Sequence, residues 1–250
     1  MSAGTISVTA GGVLDNSGTI KATQILVYDN QRLNMTFGND ADGDAAPITV
    51  TDTGEFAFYM GGGSTLGLSF TDDYITELLE EQGGCSFSFK ELVVQGNRTT
   101  GNSFDLGNMD ERFWVLSSSE WIQEGNLHYV SGTVTYNEWA EIESEGELTE
   151  VFADFSERMP VGLIFNKGDV LISGNNSYSS GSVVDGVKVT VGHENALGSG
   201  KVTLKNHAVL DLAGFAVKNP IVVEGCTLMR ADNYSGDLAV HHALDIVGPA

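Results

Sequence analysis

Apolar and polar residues alternate over short stretches along most of the chain, and this period of two is typical of β-strands with one buried face. Ile25-Leu26-Val27-Tyr28 and Val187-Lys188-Val189-Thr190-Val191 are clear examples. Gly11-Gly12 and similar glycine- and asparagine-rich positions separate the stretches and supply the positive φ that tight turns need. The pattern therefore predicts an all-β protein.

One segment, near residues 72–82, has the pattern of a helix instead. Thr71 is a suitable N-cap, and Asp72 and Asp73 suit the positive end of the helix dipole. Gly83-Gly84 ends the segment, because glycine readily takes the left-handed conformation that follows a helix. We expect one short helix whose apolar face is formed by Tyr74, Ile75, Leu78 and Leu79.

The character of the sequence changes near Pro160. After this residue aromatic side chains become fewer, and very short β-branched strands alternate with glycine- and asparagine-rich turns. Such strands predict a β-solenoid, in which each coil of the chain stacks on the one before it and buries an aliphatic interior. We therefore expect a β-rich, sandwich-like sheet region with one short helix over residues 1–160, and a β-solenoid (β-helix-like) repeat region over residues 161–250.

The repeat region also resembles a known family. Leu171-Ile172-Ser173-Gly174-Asn175-Asn176-Ser177-Tyr178-Ser179-Ser180-Gly181 is followed in order by Asn195-Ala196-Leu197-Gly198-Ser199-Gly200 and Ala208-Val209-Leu210-Asp211-Leu212-Ala213-Gly214. Over about residues 169–214 these segments resemble the passenger-associated transport repeat of autotransporter passengers. Ser180 departs from that repeat, which usually has two glycines after the Tyr-Ser pair.

The resemblance implies a secreted or surface-exposed β-helical stalk that helps a passenger to fold and to cross the outer membrane. It implies a structural or adhesive role at the host-facing surface and no catalysis. On this basis we expect secretion, or a location at the outer-membrane surface, with the signal peptide already removed. A host glycoprotein or glycan is the partner that such a role suggests.

The charge of the chain narrows the choice of partner. Lys and Arg number 12 against 34 Asp and Glu, which gives a formal net charge of −22. This excess repels phosphate backbones, so nucleic acid is excluded as a partner. No apolar stretch is long enough for a membrane-spanning helix. The two cysteines, Cys85 and Cys226, leave open whether they form a disulfide.

Asp52-Thr53-Gly54 resembles the signature tripeptide of aspartic proteases. That chemistry needs two carboxylates that share one proton and activate a water, so Asp52 would act with Asp52 of a second subunit or with Asp15. Thr53 would support the carboxylate, and a secreted glycoprotein such as mucin is the expected substrate of this endopeptidase. Glu55 departs from the family pattern. The alternative is a hairpin turn with Gly54 in the left-handed region.

Two groups of acidic residues suggest cation binding. Asp40, Asp42 and Asp44 resemble half of a Ca²⁺ loop, but the glutamate that completes such a loop is missing. The alternative is a solvated acidic loop. A second group follows one face of a predicted strand, where it is either a solvated face or a cation-binding strip; its members are Glu141, Glu143, Glu145 and Glu147.

A third class of function is carbohydrate binding. Aromatic side chains on a sheet offer a stacking platform for sugars, although they pack equally well in a core. The candidates are Trp114, Trp121, Trp139, Tyr129 and Tyr136. The sequence thus gives a structural or adhesive passenger as its leading interpretation, with an aspartic-type endopeptidase and a carbohydrate-binding module as alternatives.

Overall fold

A computed structural model of the chain describes all residues except 1, 10, 17, 39–47, 55–56, 100–102, 108, 226, 232–233, 242 and 248–250. The chain divides into two compact units, Met1–Tyr136 and Asn137–Ala250. β-Strands are the regular structure described in both units, apart from one short helix in the first. The all-β, β-solenoid prediction is therefore confirmed.

The described elements of unit one are β1 Ser2–Val8, β2 Val13–Asn16, β3 Ile20–Val27, β4 Arg32–Phe37, β5 Ile48–Val50, β6 Phe58–Met60, β7 Thr65–Phe70, α1 Asp72–Gln82, β8 Ser86–Gln95, β9 Arg98–Thr99, β10 Ser103–Asp105, β11 Trp114–Glu124 and β12 Leu127–Tyr136.

The first ten strands of unit one form two facing sheets, and the strands of each sheet pair in parallel as stacked coils. One sheet pairs β1, β5 and β6 in parallel with β3, and then β8 with β5 and β9 with β6. The other sheet pairs β2, β4, β7 and β10 in parallel. Because the chain alternates between the two sheets, their inward faces meet in a core that includes Ile25, Val27, Leu33, Met35 and Leu66.

An antiparallel hairpin completes the larger sheet of unit one. Strands β11 and β12 pair with each other, and β12 pairs with β8. Strand β12 runs unbroken over 10 residues. His128 of this strand is buried, and its Nε2 atom lies 2.9 Å from the carbonyl oxygen of Gly96, so the ring joins the hairpin to the turn after β8.

The predicted helix is confirmed at both ends. Thr71 precedes it, and its hydroxyl accepts a hydrogen bond from the backbone N–H of Tyr74. Gly83 follows it with a φ of 67°, and its N–H donates to the carbonyl of Leu79. Ile75 is buried, and the Tyr74 ring lies 6.3 Å from the ring of Phe70. The helix packs against β8, where the hydroxyl of Tyr74 donates to Glu91.

The described strands of unit two are β13 Trp139–Glu143, β14 Gly146–Leu148, β15 Gly162–Lys167, β16 Val170–Ile172, β17 Gly181–Asp185, β18 Lys188–Val191, β19 Val202–Lys205, β20 Val209–Asp211, β21 Ile221–Val223, β22 Thr227–Arg230, β23 Leu238–Val240 and β24 Leu244–Val247.

Unit two is a regular β-solenoid. Its odd-numbered strands form one parallel sheet of six described strands, and its even-numbered strands form a second sheet of six. Each coil contributes one strand to each sheet. Aliphatic side chains of successive coils fill the interior, and Leu163, Val184, Leu204 and Val223 are all fully buried there. Parallel ladders satisfy the backbone while this interior excludes water.

The solenoid begins before residue 161, where the sequence pattern placed its start. Strands β13 and β14 already pair in parallel with β15 and β16. A long loop then separates this first coil from the second, and its Phe152 and Met159 side chains are buried. The change in sequence character at Pro160 therefore marks the end of a loop inside the solenoid, not the start of the solenoid.

Candidate functional site

The Asp52-Thr53-Gly54 tripeptide lies where the chain leaves the larger sheet of unit one for a few residues. Strands β5 and β6 pair with successive parts of the same strand, β3, so the tripeptide does not turn the chain back as a hairpin. The N–H of Asp52 donates to the carbonyl of Thr23 at 3.1 Å. The side chain of Asn97 donates to the Thr53 carbonyl at 2.5 Å. Together these two hydrogen bonds hold the tripeptide beside the sheet.

Both oxygens of the half-buried Asp52 carboxylate accept hydrogen bonds. Oδ1 accepts from the backbone N–H of Gly54 at 2.9 Å, which closes a turn through the aspartate side chain. Oδ2 accepts from Nε2 of Gln24 at 2.9 Å. The φ of Gly54 is not positive, so the expectation of a left-handed glycine was wrong. The side chain of Asp52 forms the turn, and no unusual backbone conformation is needed.

Asp15 lies on the smaller sheet of unit one and takes part in a different network. Its Oδ1 accepts from Nδ2 of Asn34 at 2.6 Å, and Oδ1 of Asn34 accepts from Nε of Arg32 at 2.6 Å. Arg32 then donates with both terminal nitrogens to the carboxylate of Asp105. This network, which we call the Arg32 ladder, crosses from β2 to β10 over the backbone of Gly67.

The structure therefore does not bring Asp52 and Asp15 together. Each carboxylate has its own amide partner on its own sheet, Gln24 for Asp52 and Asn34 for Asp15. Among the contacts of the described residues, none joins the two. A pair formed by Asp52 of two subunits stays a prediction, because one copy of the chain is described.

The first group of proposed cation ligands, Asp40, Asp42 and Asp44, lies outside the described residues. In the second group, Glu143 accepts from Nζ of Lys167 at 2.7 Å, and Glu147 accepts from the hydroxyl of Ser173 at 2.8 Å. All four glutamates of that strip are exposed. No cluster of three or more potential metal ligands occurs within the described part of the chain.

Trp114 and Trp121 of unit one do not form one stacking platform. Trp114 is buried, and its ring packs on Tyr136 with 5.0 Å between centroids. Trp121 is half-buried between Phe104 and the guanidinium of Arg98, which lies 3.5 Å from the centre of its ring. Trp139 is the most exposed of the three and belongs to unit two. Core packing therefore accounts for Trp114, and a stacked cation occupies a face of Trp121.

An open groove that the sequence did not predict lies on the outer face of the larger sheet of unit one. Its volume is about 700 Å³. Leu26 and Tyr59 are register partners on β3 and β6, and Tyr28 follows two residues after Leu26 on the same face. Tyr28 is 45% exposed. We call this feature the tyrosine groove.

Polar side chains line the rest of the tyrosine groove and are held in place by backbone groups. Oδ1 of Asp29 accepts from the N–H of Gly62 at 2.9 Å. Oε1 of Gln31 accepts from the N–H of Gly12 at 3.1 Å, and its Nε2 donates to the Asp29 carbonyl. Gln24 also lines the groove, so the amide that holds Asp52 is part of this surface.

In unit two, the segment that resembles the passenger-associated repeat provides contacts between coils. Oδ1 of buried Asn176 accepts from the N–H of Phe152 at 2.8 Å, and its Nδ2 donates to the carbonyl of Ala196 at 2.6 Å. These partners belong to the preceding and the following coil. Tyr178 is fully buried, and its hydroxyl lies 2.6 Å from the hydroxyl of Ser182.

The glycines of the same segment are required by close approach of neighbouring coils. A Cβ on Gly198 would lie 2.8 Å from the ring of Tyr178 and would clash with the carbonyl of that residue. A Cβ on Gly200 would lie 2.5 Å from the backbone nitrogen of Gly181. Both distances are shorter than side chains tolerate, so the tyrosine and the glycines fit together as a set.

Burial shifts the pKa of several groups in unit one. Burial lowers the pKa of His128, with a smaller contribution of the same sign from Arg98. Burial also raises the pKa of Glu91 above its ordinary 4.5, although the hydroxyl of Tyr74 donates to it. The pKa of Arg98 falls to about 10 for the same reason. These groups belong to the packing of the hairpin and the helix rather than to the tyrosine groove.

Comparison with protein-family models, curated proteins and solved structures finds no match to this chain. Within the described residues, no helix is both long and apolar enough to cross a membrane. Cys85 is exposed and forms no disulfide with any described residue, and Cys226 lies outside the described part of the chain.

Proposed function

We propose that the chain is a secreted or surface-exposed passenger-type β protein with a structural and adhesive role at the host-facing surface. The observation that carries this proposal is the coil-to-coil fit in the segment that resembles the passenger-associated repeat. Asn176 joins three successive coils, and Gly198 makes room for Tyr178. The motif residues thus act in stacking, which is the role expected of a stalk.

The electrostatics of unit two also support a structural role. Lys188 and Arg230 lie 3.6 and 3.7 Å from the carboxylate of Asp211, which places one ion-pair cluster across three coils. Lys167 similarly pairs with Glu143 of the coil before it. The few basic residues of an acidic chain are used here to hold coils together. The remaining acidic residues keep the surface hydrated and soluble.

The endopeptidase alternative comes second. Its chemistry needs a second carboxylate close to Asp52, and the partners of Asp52 among the described residues are an amide and a backbone N–H. The carbohydrate-binding alternative is supported by the tyrosine groove rather than by the tryptophans.

An export experiment tests the proposed function. The chain is placed between a signal peptide and an outer-membrane translocator barrel in a Gram-negative host. Its exposure is then measured with antibody and with protease added to intact cells. We expect the wild-type chain to reach the surface and to resist the protease, because stacked coils offer few unpaired backbone segments.

A matched pair of variants makes the result specific. Leu204→Asp puts a charge at a fully buried position of the solenoid and should abolish protease resistance at the surface. Leu238→Asp, at a position that is 39% exposed, should behave like the wild type. The proposal fails if the wild-type chain stays in the periplasm while a known passenger on the same barrel is displayed.

A further inference from the structure

The tyrosine groove combines apolar faces with fixed polar groups in a single open depression. Leu26, Tyr28 and Tyr59 supply the apolar part, and Gln24, Asp29 and Gln31 supply hydrogen-bonding groups. Its volume of about 700 Å³ lies within the usual range for ligand sites in proteins. A groove with this lining suits a ligand that has both a flat apolar face and hydroxyl groups around its edge.

The geometry of the strands gives the groove its direction. Tyr28 N–H donates to the carbonyl of Val8, so Thr9 and Tyr28 are neighbours directly after the ends of β1 and β3. Tyr59 pairs with Leu26 across β3 and β6. Because β1, β3 and β6 are parallel neighbours, the groove crosses three strands. A ligand made of several linked rings fits such a surface better than a single compact ring.

The polar groups of the groove are positioned before any ligand arrives. Gln31 is held at both amide atoms by the backbone, and Asp29 is held by the N–H of Gly62. Each of these groups has a further hydrogen or lone pair that its present bond does not use. Little conformational entropy would therefore be lost when these side chains bind hydroxyl groups.

Charge decides among the ligands that have flat faces and hydroxyl groups. Two carboxylates are close to the groove: Asp29 lines it, and Asp52 accepts a hydrogen bond from Gln24, which also lines it. With a net charge of −22 on the chain, a sulfated, sialylated or nucleotide ligand would be repelled. An uncharged sugar chain is not, and the C–H groups on a sugar face are attracted to the negative face of an aromatic ring.

We propose that the tyrosine groove binds an uncharged oligosaccharide chain, with Tyr28 and Tyr59 stacking on sugar rings and Gln24, Asp29 and Gln31 bonding to hydroxyl groups. This inference rests on the proposed adhesive function and gives that function a ligand class.

Calorimetric titration of the full chain tests the inference with three neutral probes: maltotriose, cellotriose and triacetylchitotriose. We expect at least one of them to bind, and we expect Tyr28→Ala and Tyr59→Ala each to weaken that binding about tenfold. Tyr28→Phe should retain it, because the ring face remains. Tyr234→Ala removes a tyrosine of unit two and should leave affinity unchanged. The thermal midpoint of each variant is measured to confirm folding.

Two further probes identify competing ligands. Sialyllactose should bind more weakly than the neutral trisaccharides, because its carboxylate meets Asp29. A proline-rich peptide, which other aromatic grooves accept, should not compete. The inference is overturned if no neutral trisaccharide binds, if neither tyrosine variant weakens binding, or if the peptide binds in a Tyr28-dependent manner in place of the sugars.

The export experiment and the sugar titration can fail independently. A chain that is exported and protease-resistant but binds none of the neutral trisaccharides would overturn the inference and leave the passenger proposal intact. A chain that binds a trisaccharide through Tyr28 but is not exported would overturn the passenger proposal alone.

Discussion

Gly67 shows how a single residue determines which polar network a sheet can carry. It lies on β7 between the strand of Arg32 and the strand of Asp105. A Cβ at this position would lie 2.6 Å from Nη2 of Arg32 and would clash with Oδ1 of Asn34. Because Gly67 has no side chain, the guanidinium of Arg32 can cross β7 and reach the carboxylate of Asp105. Asp15 is bonded to the other end of the Arg32 ladder.

We expect Gly67→Ala to lower the free energy of unfolding of unit one by about 1–3 kcal/mol, because the methyl group forces the Arg32 ladder apart. Chemical denaturation followed by tryptophan fluorescence measures this change. Gly62→Ala is the matched control, since a Cβ there has no neighbour within 4 Å. Equal stability of the two variants would contradict the role assigned to Gly67.

At the scale of elements, successive coils of unit two are joined by buried side-chain bonds as well as by strand ladders. Asn176→Ala should lower the free energy of unfolding of unit two by about 2–4 kcal/mol, because Phe152 N–H and the Ala196 carbonyl both lose a buried partner. Asn175→Ala is the control, because Asn175 is exposed and bonds only to the Asn195 side chain among the contacts described here. The thermal midpoints of both variants are measured. A lower midpoint for Asn175→Ala than for Asn176→Ala would contradict the role of Asn176 between coils.

The hairpin of unit one gives a prediction about pH. Burial lowers the pKa of His128 in the folded state, so the unfolded state binds a proton more readily. The stability that neutral His128 contributes is therefore present above its ordinary pKa of 6.5 and is lost as the pH falls through that value toward the lowered one. Unfolding free energies of the wild type and His128→Gln, measured from neutral to mildly acidic pH, should converge on acidification.

His241→Gln is the control for that titration, because His241 is exposed and lies in unit two. It should follow the wild-type pH profile throughout. If His128→Gln also followed the wild-type profile, His128 would not be the group that makes the stability of the hairpin depend on pH.

Elements whose signals are local could be predicted from the sequence. The helix at 72–82 was predicted because its cap, its dipole charges and its terminal glycine are all neighbours in sequence. The short strands of the solenoid were predicted for the same reason. The parallel stacking in residues 1–136 was not, because alternation shows which face is buried but not the direction of the partner strand.

The start of the solenoid and the tyrosine groove depend on contacts that are distant in sequence. The acidic alternation around Glu141 gave no sign that β13 would pair with β15 across a long loop. Tyr28 and Tyr59 share a groove only because the register places Leu26 beside Tyr59. The Asp-Thr-Gly tripeptide could be recognised in the sequence, but the hydrogen bond from Gln24 to Asp52 could not. That contact forms only because the segment between β5 and β6 leaves the sheet beside β3.

For the whole molecule, we propose a structural and adhesive role, in which the outer surfaces of stacked coils hold a ligand and no bond is cleaved. Asp52 belongs to that structure as the centre of a turn next to the tyrosine groove. Asp52→Asn should keep the turn, because an asparagine oxygen also accepts the Gly54 N–H. The Gln24 amide must turn its oxygen toward the new NH2 group to keep its own bond to this position.

The most direct test is to incubate mucin with the wild-type chain and with Asp52→Asn, from acidic to neutral pH, and to measure binding and cleavage in the same samples. We expect both proteins to leave mucin intact, whether or not they bind it. Cleavage by the wild type that disappears in Asp52→Asn would contradict the account and make the chain an aspartic-type endopeptidase.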